Sequence, residues 1–119
     1  MNCSKWQQKE DGLTQSSTRD LEYYTLAANQ GHAAAQYNLG VIYENGKGIE
    51  QSSKRACEYY TLAAELGHVG AQNNLGNMYI RGDGIEQSYS KAREWWTKAA
   101  AQGDEFAIDG LKKLDELGL

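Results

Sequence analysis

One sentence of this chain is written twice. "GHAAAQYNLGVIYENGKGIEQS" begins at Gly31, "GHVGAQNNLGNMYIRGDGIEQS" begins 36 residues later at Gly67, and the next equivalent glycine is Gly103. The two full copies agree at about half their positions, and a period of this size marks stacked helical hairpins. The register runs on in both directions. "GLTQSSTRDLEYYTLAANQ" from Gly12 lies over "GIEQSSKRACEYYTLAAEL" from Gly48, and "GDEFAIDGLKKLDELG" from Gly103 lies over the first half of the unit. The register predicts a single repeat domain over 1–119. It comprises a partial first repeat (1–30), two repeats (31–66 and 67–102) and a capping helix (103–119).

Each unit reads as two amphipathic helices. Ala35, Leu39, Ile42 and Tyr43 form one apolar stripe, and Ala71, Leu75, Met78 and Tyr79 repeat it. Ala56, Tyr60, Ala63 and Ala64 form the second stripe, repeated as Ala92, Trp96, Ala99 and Ala100. Helices this short are marginal alone, so each must bury its stripe on its partner and on the next unit. The expected fold is all-α, a solenoid of antiparallel helix pairs.

The chain contains no Pro, and 13 Gly punctuate it. Gly46 with Gly48, and Gly82 with Gly84, follow the first helix, where a left-handed residue can end it. Ile49 and Ile85 then return the loop to the core. Ser16, Ser52 and Ser88 stand at the expected N-caps of the second helix. Gly31, Gly67 and Gly103 close that helix. Gly40 and Gly76 lie inside a helix, where Gly costs about 1 kcal/mol relative to Ala. That cost implies a bulky neighbour against bare backbone, drawn from the pairs Tyr59-Tyr60 and Trp95-Trp96.

A net charge of −4 argues against nucleic acid and against an anionic membrane surface. No apolar run is long enough to span a bilayer, and the N-terminus lacks signal-peptide features. A cytoplasmic location is the resulting expectation. Cys3 and Cys57 are too few for a disulfide framework and are expected to be free thiols.

The run "AQYNLGVIYENGKGIEQSSKRACEYYTLAAELG" resembles the Sel-one-like repeat (SLR), a relative of the tetratricopeptide repeat. Ala35, Gln36, Leu39, Gly40, Tyr43, Gly46, Gly48, Ala56, Tyr60, Ala63, Ala64 and Gly67 carry the resemblance. Ala71, Gln72, Leu75, Gly76, Tyr79, Gly82, Gly84, Ala92, Trp96, Ala99, Ala100 and Gly103 carry it again. The resemblance implies an α/α superhelix with the first helix of each unit on the concave face. It also implies a protein-interaction scaffold. A cysteine-rich branch of that family is linked to β-lactam binding or hydrolysis, but its regularly spaced cysteine pairs are missing here. The pattern fades before Gly12, where Gln7 replaces Tyr43. At the other end Lys112 replaces Gly76 and Asp115 replaces Tyr79, charges that suit a terminal cap.

Residues that tempt a catalytic reading repeat with the period, and repeat work explains them. His32 and His68 sit one unit apart, on the order of 10 Å, too far to share a metal. They are read as caps, as is Asp104 in the next unit. Glu22, Glu58 and Glu94 are read as surface or inter-repeat ion-pair partners. "GKG" and "GDG" lack the spacing and the Lys-Ser/Thr of a phosphate loop. No catalytic residue, metal site or cofactor is assigned. Of the twelve aromatics, Tyr37, Tyr89 and Phe106 fall off the core stripes.

Positions that vary between copies on the first helix are free to recognise a partner. In one unit they are Ala34, Tyr37, Val41, Glu44 and Asn45. In the next they are Gly70, Asn73, Asn77, Ile80 and Arg81, followed by Phe106, Asp109 and Lys113 in the capping helix. This trough offers apolar anchors, Asn amides for an extended peptide and Arg81 as a carboxylate clamp. The predicted function is a non-enzymatic adaptor for a peptide or helix of another protein. A self-assembling module, pairing through the edge around Leu21 and Tyr24, is the alternative.

Overall fold

Side-chain caps and left-handed glycines cut the chain into a first helix of 19 residues and five of 13. The computed structural model describes residues 11–119 except residue 47, with side-chain surroundings from residue 19 onward. The helices are α1 (Asp11–Asn29), α2 (Ala33–Asn45), α3 (Ser53–Glu65), α4 (Val69–Arg81), α5 (Tyr89–Ala101) and α6 (Glu105–Leu117), with no strand among the described residues. The faded segment before Gly12, and Cys3 within it, lie outside the described residues.

The Ser52 hydroxyl accepts from the Arg55 backbone N–H and the Ser88 hydroxyl from that of Lys91, each at 3.1 Å, which fixes the start of α3 and α5. Gly46 (φ 69°) ends α2 and Gly82 (φ 68°) ends α4. A side chain there would meet the steric penalty of the left-handed region. Ser16 does not act as a cap: α1 runs unbroken from Asp11 to Asn29 through it. In sequence Glu10 stands where Gly46 and Gly82 stand in the other units, so the glycine pair that precedes their second helices is incomplete.

Packing follows chain order. Each helix rests mainly on its sequence neighbours, and α4 also touches α6. No comparable contact joins α1 to α3 or α3 to α5. Among the first helices α4 meets α6, while α2 reaches the start of α4 through the Tyr37 and His68 rings. Leu39, Ala56, Tyr60, Ala63, Ala71, Leu75, Ala92, Ala99 and Ala107 are completely buried, in line with the two apolar stripes.

The glycines inside helices mark close approach. A Cβ on Gly40 would stand 2.5 Å from the Tyr60 ring. A Cβ on Gly76 would collide with the Trp96 indole, and one on Gly110 would lie 2.5 Å from the other side of that ring. Trp96 is thus held between bare backbone of α4 and of α6.

Two buried amides tie hairpin to hairpin. Gln36 Nε2 donates to the Ala28 carbonyl at 3.2 Å, and Gln72 Nε2 donates to the Ala64 carbonyl at 3.1 Å. Each satisfies a carbonyl at the end of the preceding helix. Gln72 also accepts from Gln102 at 3.1 Å. Leu66 takes the place of Gln102 in the earlier unit, and Gln36 Oε1 has no partner there. No described helix is long and apolar enough to cross a membrane.

Candidate protein-interaction face

The residues expected to meet a partner lie on α2, α4 and α6, whose buried stripes fix how their other sides are presented. From α2, Ala34 and Asn45 are exposed, while Tyr37, Val41 and Glu44 are half-buried. From α4, Asn77 and Arg81 are exposed, and Gly70, Asn73 and Ile80 are half-buried. From α6, Phe106, Asp109 and Lys113 are exposed.

Several of these residues hold the stack. Tyr37 and Val41 pack against the core cluster around Tyr60 and Leu75, and Ile80 packs against the cluster around Trp96 and Leu114. Tyr37 stacks on His68 with ring centroids 4.5 Å apart and leans on Tyr60 at 5.6 Å. It lies off the helical stripe because it seals a joint between units, so it is a packing residue and not a free anchor. Arg81 is engaged too: its Nη2 lies 3.4 Å from Asp83 Oδ2 and 3.8 Å from Glu44 Oε2. Glu44 in turn accepts from the Tyr60 hydroxyl at 2.7 Å. Burial first, and then this bond to Glu44, raise the Tyr60 pKa and keep the phenol protonated. The open clamp expected at Arg81 is already closed by the protein's own carboxylates.

Packed and exposed residues meet between α4 and α6. Asn73, Asn74 and Asn77 from α4, Trp96 from α5 and Phe106 from α6 line a cleft of about 340 Å³. The Trp96 indole N–H donates to the Asn73 carbonyl at 3.1 Å, which fixes the ring as one wall. Asn74 escapes a search for variable positions because it matches Asn38 of the earlier copy. A second cleft, of about 450 Å³, lies between α1 and α2 and includes Tyr23, Leu26, Ala34 and Asn38. Leu21 and Tyr24, the expected self-pairing edge, are half-buried against α2, and the exposed apolar groups of α1 are Tyr23 and Leu26.

Candidate reactive groups are placed for structural work. His68 Nδ1 accepts the Ala71 N–H at 3.1 Å and Asp104 Oδ2 accepts that of Ala107 at 2.9 Å, both as helix caps. His32 holds the cap position without a side-chain bond. Glu22, Glu58 and Glu94 are exposed, and the ion pairs among the described residues do not include them. Burial, then the charges of Asp83, Glu44 and Glu58, push the Cys57 thiol up to about 11, so it stays protonated and unreactive at neutral pH. Among the described residues no group of three or more His, Cys, Asp and Glu side chains is arranged to hold a metal ion.

His68 yields a pH prediction. Burial lowers its pKa from the ordinary 6.5, and only a neutral ring can accept at Nδ1. The unfolded chain therefore takes up the proton at a higher pH than the native one. Stability should fall as pH drops through about 6.5, and level off once the native ring is protonated as well. His68→Asn keeps a capping side chain without the titration and should flatten this step in melting temperatures measured from pH 7.5 to 5. An equal fall in the variant would clear His68 of responsibility.

A family profile described as "Sel1 repeat" matches residues 11–32, 33–68 and 69–104. The chain belongs to the Sel1 repeat family. Solved structures agree. It superposes with a TM-score of 0.81 and 37% identity on c5321, a protective antigen of uropathogenic Escherichia coli strains displaying an SLR fold. It superposes with 0.80 and 36% on a Sel1 repeat protein from Oxalobacter formigenes. Cysteine-rich protein B (HcpB) of Helicobacter pylori gives 0.72 and 27%. These matches cover 83%, 82% and 75% of this chain, but 21%, 40% and 67% of those proteins. The chain thus spans well under half the length of the first two. No protein with curated function matches significantly. Sel1 repeat proteins are generally protein-interaction scaffolds. The Helicobacter relative is named for its cysteines; this Sel1 repeat chain has two in all, and Cys57 is a free buried thiol.

Proposed function

We propose that this chain is a non-enzymatic adaptor that binds a peptide or helix of a partner protein along the face made by α2, α4 and α6. One observation carries the reading: three side-chain amides and the exposed ring of Phe106 meet beside the buried Trp96 indole in the cleft between α4 and α6. Asn amides can both donate to and accept from a peptide backbone, and an aromatic wall excludes water around those bonds. Asp109 and Lys113 extend the face with one charge of each sign.

Peptides selected from a random display library test this. Asn77→Arg with Phe106→Ala changes exposed groups only and should leave the melting temperature within about 2 °C of wild type, since surface changes stay near 0.5 kcal/mol. The same variant should weaken selected peptides at least about tenfold, the loss expected for one interface hot spot. Peptides that all bind the variant as tightly as wild type would place recognition on another surface.

A further inference from the structure

Two joints connect the first helices, and equivalent positions in them are filled differently. At the α2–α4 joint Tyr37 lays its ring between Tyr60 and His68. Gly70 leaves room for it: a Cβ there would stand 3.3 Å from the Tyr37 ring and 3.1 Å from the imidazole. One repeat later Tyr37 becomes Asn73, His68 becomes Asp104, Tyr60 becomes Trp96 and Gly70 becomes Phe106. Asn73 is too short to reach the place of the tyrosine ring. Asp104 spends its carboxylate on the cap of α6. Phe106 turns outward and is 74% exposed. The cleft between α4 and α6 is lined by Asn73 and Trp96, the register partners of Tyr37 and Tyr60, and by Phe106 in the place of Gly70.

We propose that this cleft receives an aromatic side chain of a partner peptide, which takes the position at the α4–α6 joint that Tyr37 holds at the α2–α4 joint. Trp96 would face the incoming ring as Tyr60 faces Tyr37, and Phe106, in the place of Gly70, would flank it. Aromatic rings favour such tilted and offset arrangements over an aliphatic group of similar size. The Trp96 N–H is already committed to the Asn73 carbonyl, so the indole offers its ring and not its donor. The Asn73 and Asn77 amides stand beside that place and can bond the peptide N–H and C=O flanking the aromatic residue. The cleft's volume lies at the small end of ligand sites, which suits one side chain better than a cofactor.

The proposal rests on the adaptor reading, and its test separates the two. Three blocked pentapeptides, Ac-Gly-Gly-Xaa-Gly-Gly-amide with Xaa as Tyr, Leu or Ala, are titrated into the ¹⁵N-labelled protein. The Tyr peptide should shift the Trp96 indole N–H and the amides of Asn73, Asn77 and Phe106. It should bind at least about fivefold more tightly than the Leu peptide, the margin an aromatic pair adds beyond its area. Asn73→Tyr brings the chain's own ring to the cleft, where Phe106 leaves less room than Gly70 leaves Tyr37, and should weaken those shifts at least severalfold by competing with the peptide. Phe106→Ala, which removes only an exposed wall, should weaken the Tyr peptide severalfold and serves if Asn73→Tyr does not fold. Equal binding of Tyr and Leu peptides, or shifts confined to other surfaces, overturns the aromatic preference. In that event library peptides that still lose binding in Asn77→Arg/Phe106→Ala would leave the adaptor reading standing; peptides indifferent to that variant would remove both.

Discussion

Tyr60→Ala is expected to cost about 3–5 kcal/mol, the range for deleting a large buried aromatic ring. Tyr60 is completely buried and meets three groups at once. Its ring lies against the bare backbone of Gly40, it touches Tyr37 of the same joint, and its hydroxyl donates to Glu44. Truncation leaves a cavity between α2 and α3 that neither helix can close without losing its register on the next. Domains of this size hold only about 5–15 kcal/mol in total, so the variant should lose a large share of its stability. Its urea midpoint should fall accordingly, with a melting temperature lower by about 10 °C or more. Tyr60→Phe separates the two contributions. It keeps the ring, gives up one hydrogen bond and should cost about 1 kcal/mol, because Glu44 is half-exposed and can turn to water or to Arg81. A Tyr60→Ala midpoint equal to wild type would mean that the ring does not fill the joint.

Gly76→Leu should be the next most damaging change, by about 1–3 kcal/mol or more. Leucine is the better helix former by up to about 1 kcal/mol, so propensity alone predicts a gain. Sterics decide the sign. The space beyond Gly76 is occupied by the Trp96 indole, whose far side rests on Gly110. The ring cannot retreat without pushing α6 away, and its N–H is anchored to the Asn73 carbonyl. Trp96→Leu in the same chain should recover part of the loss, since the smaller side chain frees the space. Chemical denaturation of the two single variants and the double variant gives the coupling energy. Strict additivity would show that the two residues do not meet.

Much of this architecture was legible because the period turns chain position into spatial position. Helix ends followed from Gly46, Gly82, Ser52 and Ser88, and the tight contacts from glycines in helix interiors. What escaped depends on contacts between units, which the repeat register does not express. Gly110 presses on the same indole as Gly76, yet its register partner is Asn74, so the repeat gave no signal for it. Tyr37 falls off its own helical stripe and looked free for a partner; the absence of a Cβ at Gly70, on the following helix, is what lets it turn inward. Arg81 looked available because its carboxylate partners come from a loop and from a helix one unit back. Ser16 lies inside α1, which begins five residues before it, so its register position does not mark a helix start. Of the residues lining the cleft between α4 and α6, variability picked out Asn73, Asn77 and Phe106 but passed over Asn74 and Trp96. A residue can serve packing on one side and a cleft on the other.

Neighbour-only stacking also bears on how the chain reaches this state. Contacts between units reach from 8 residues, as between Gln72 and Ala64, to about one repeat, as between Gln102 and Gly67 at a separation of 35. Loops of that length cost little to close, and helical proteins dominated by local contacts fold in microseconds to milliseconds. A hairpin can therefore form first and template the next, so assembly advances along the sequence without waiting for its two ends to meet.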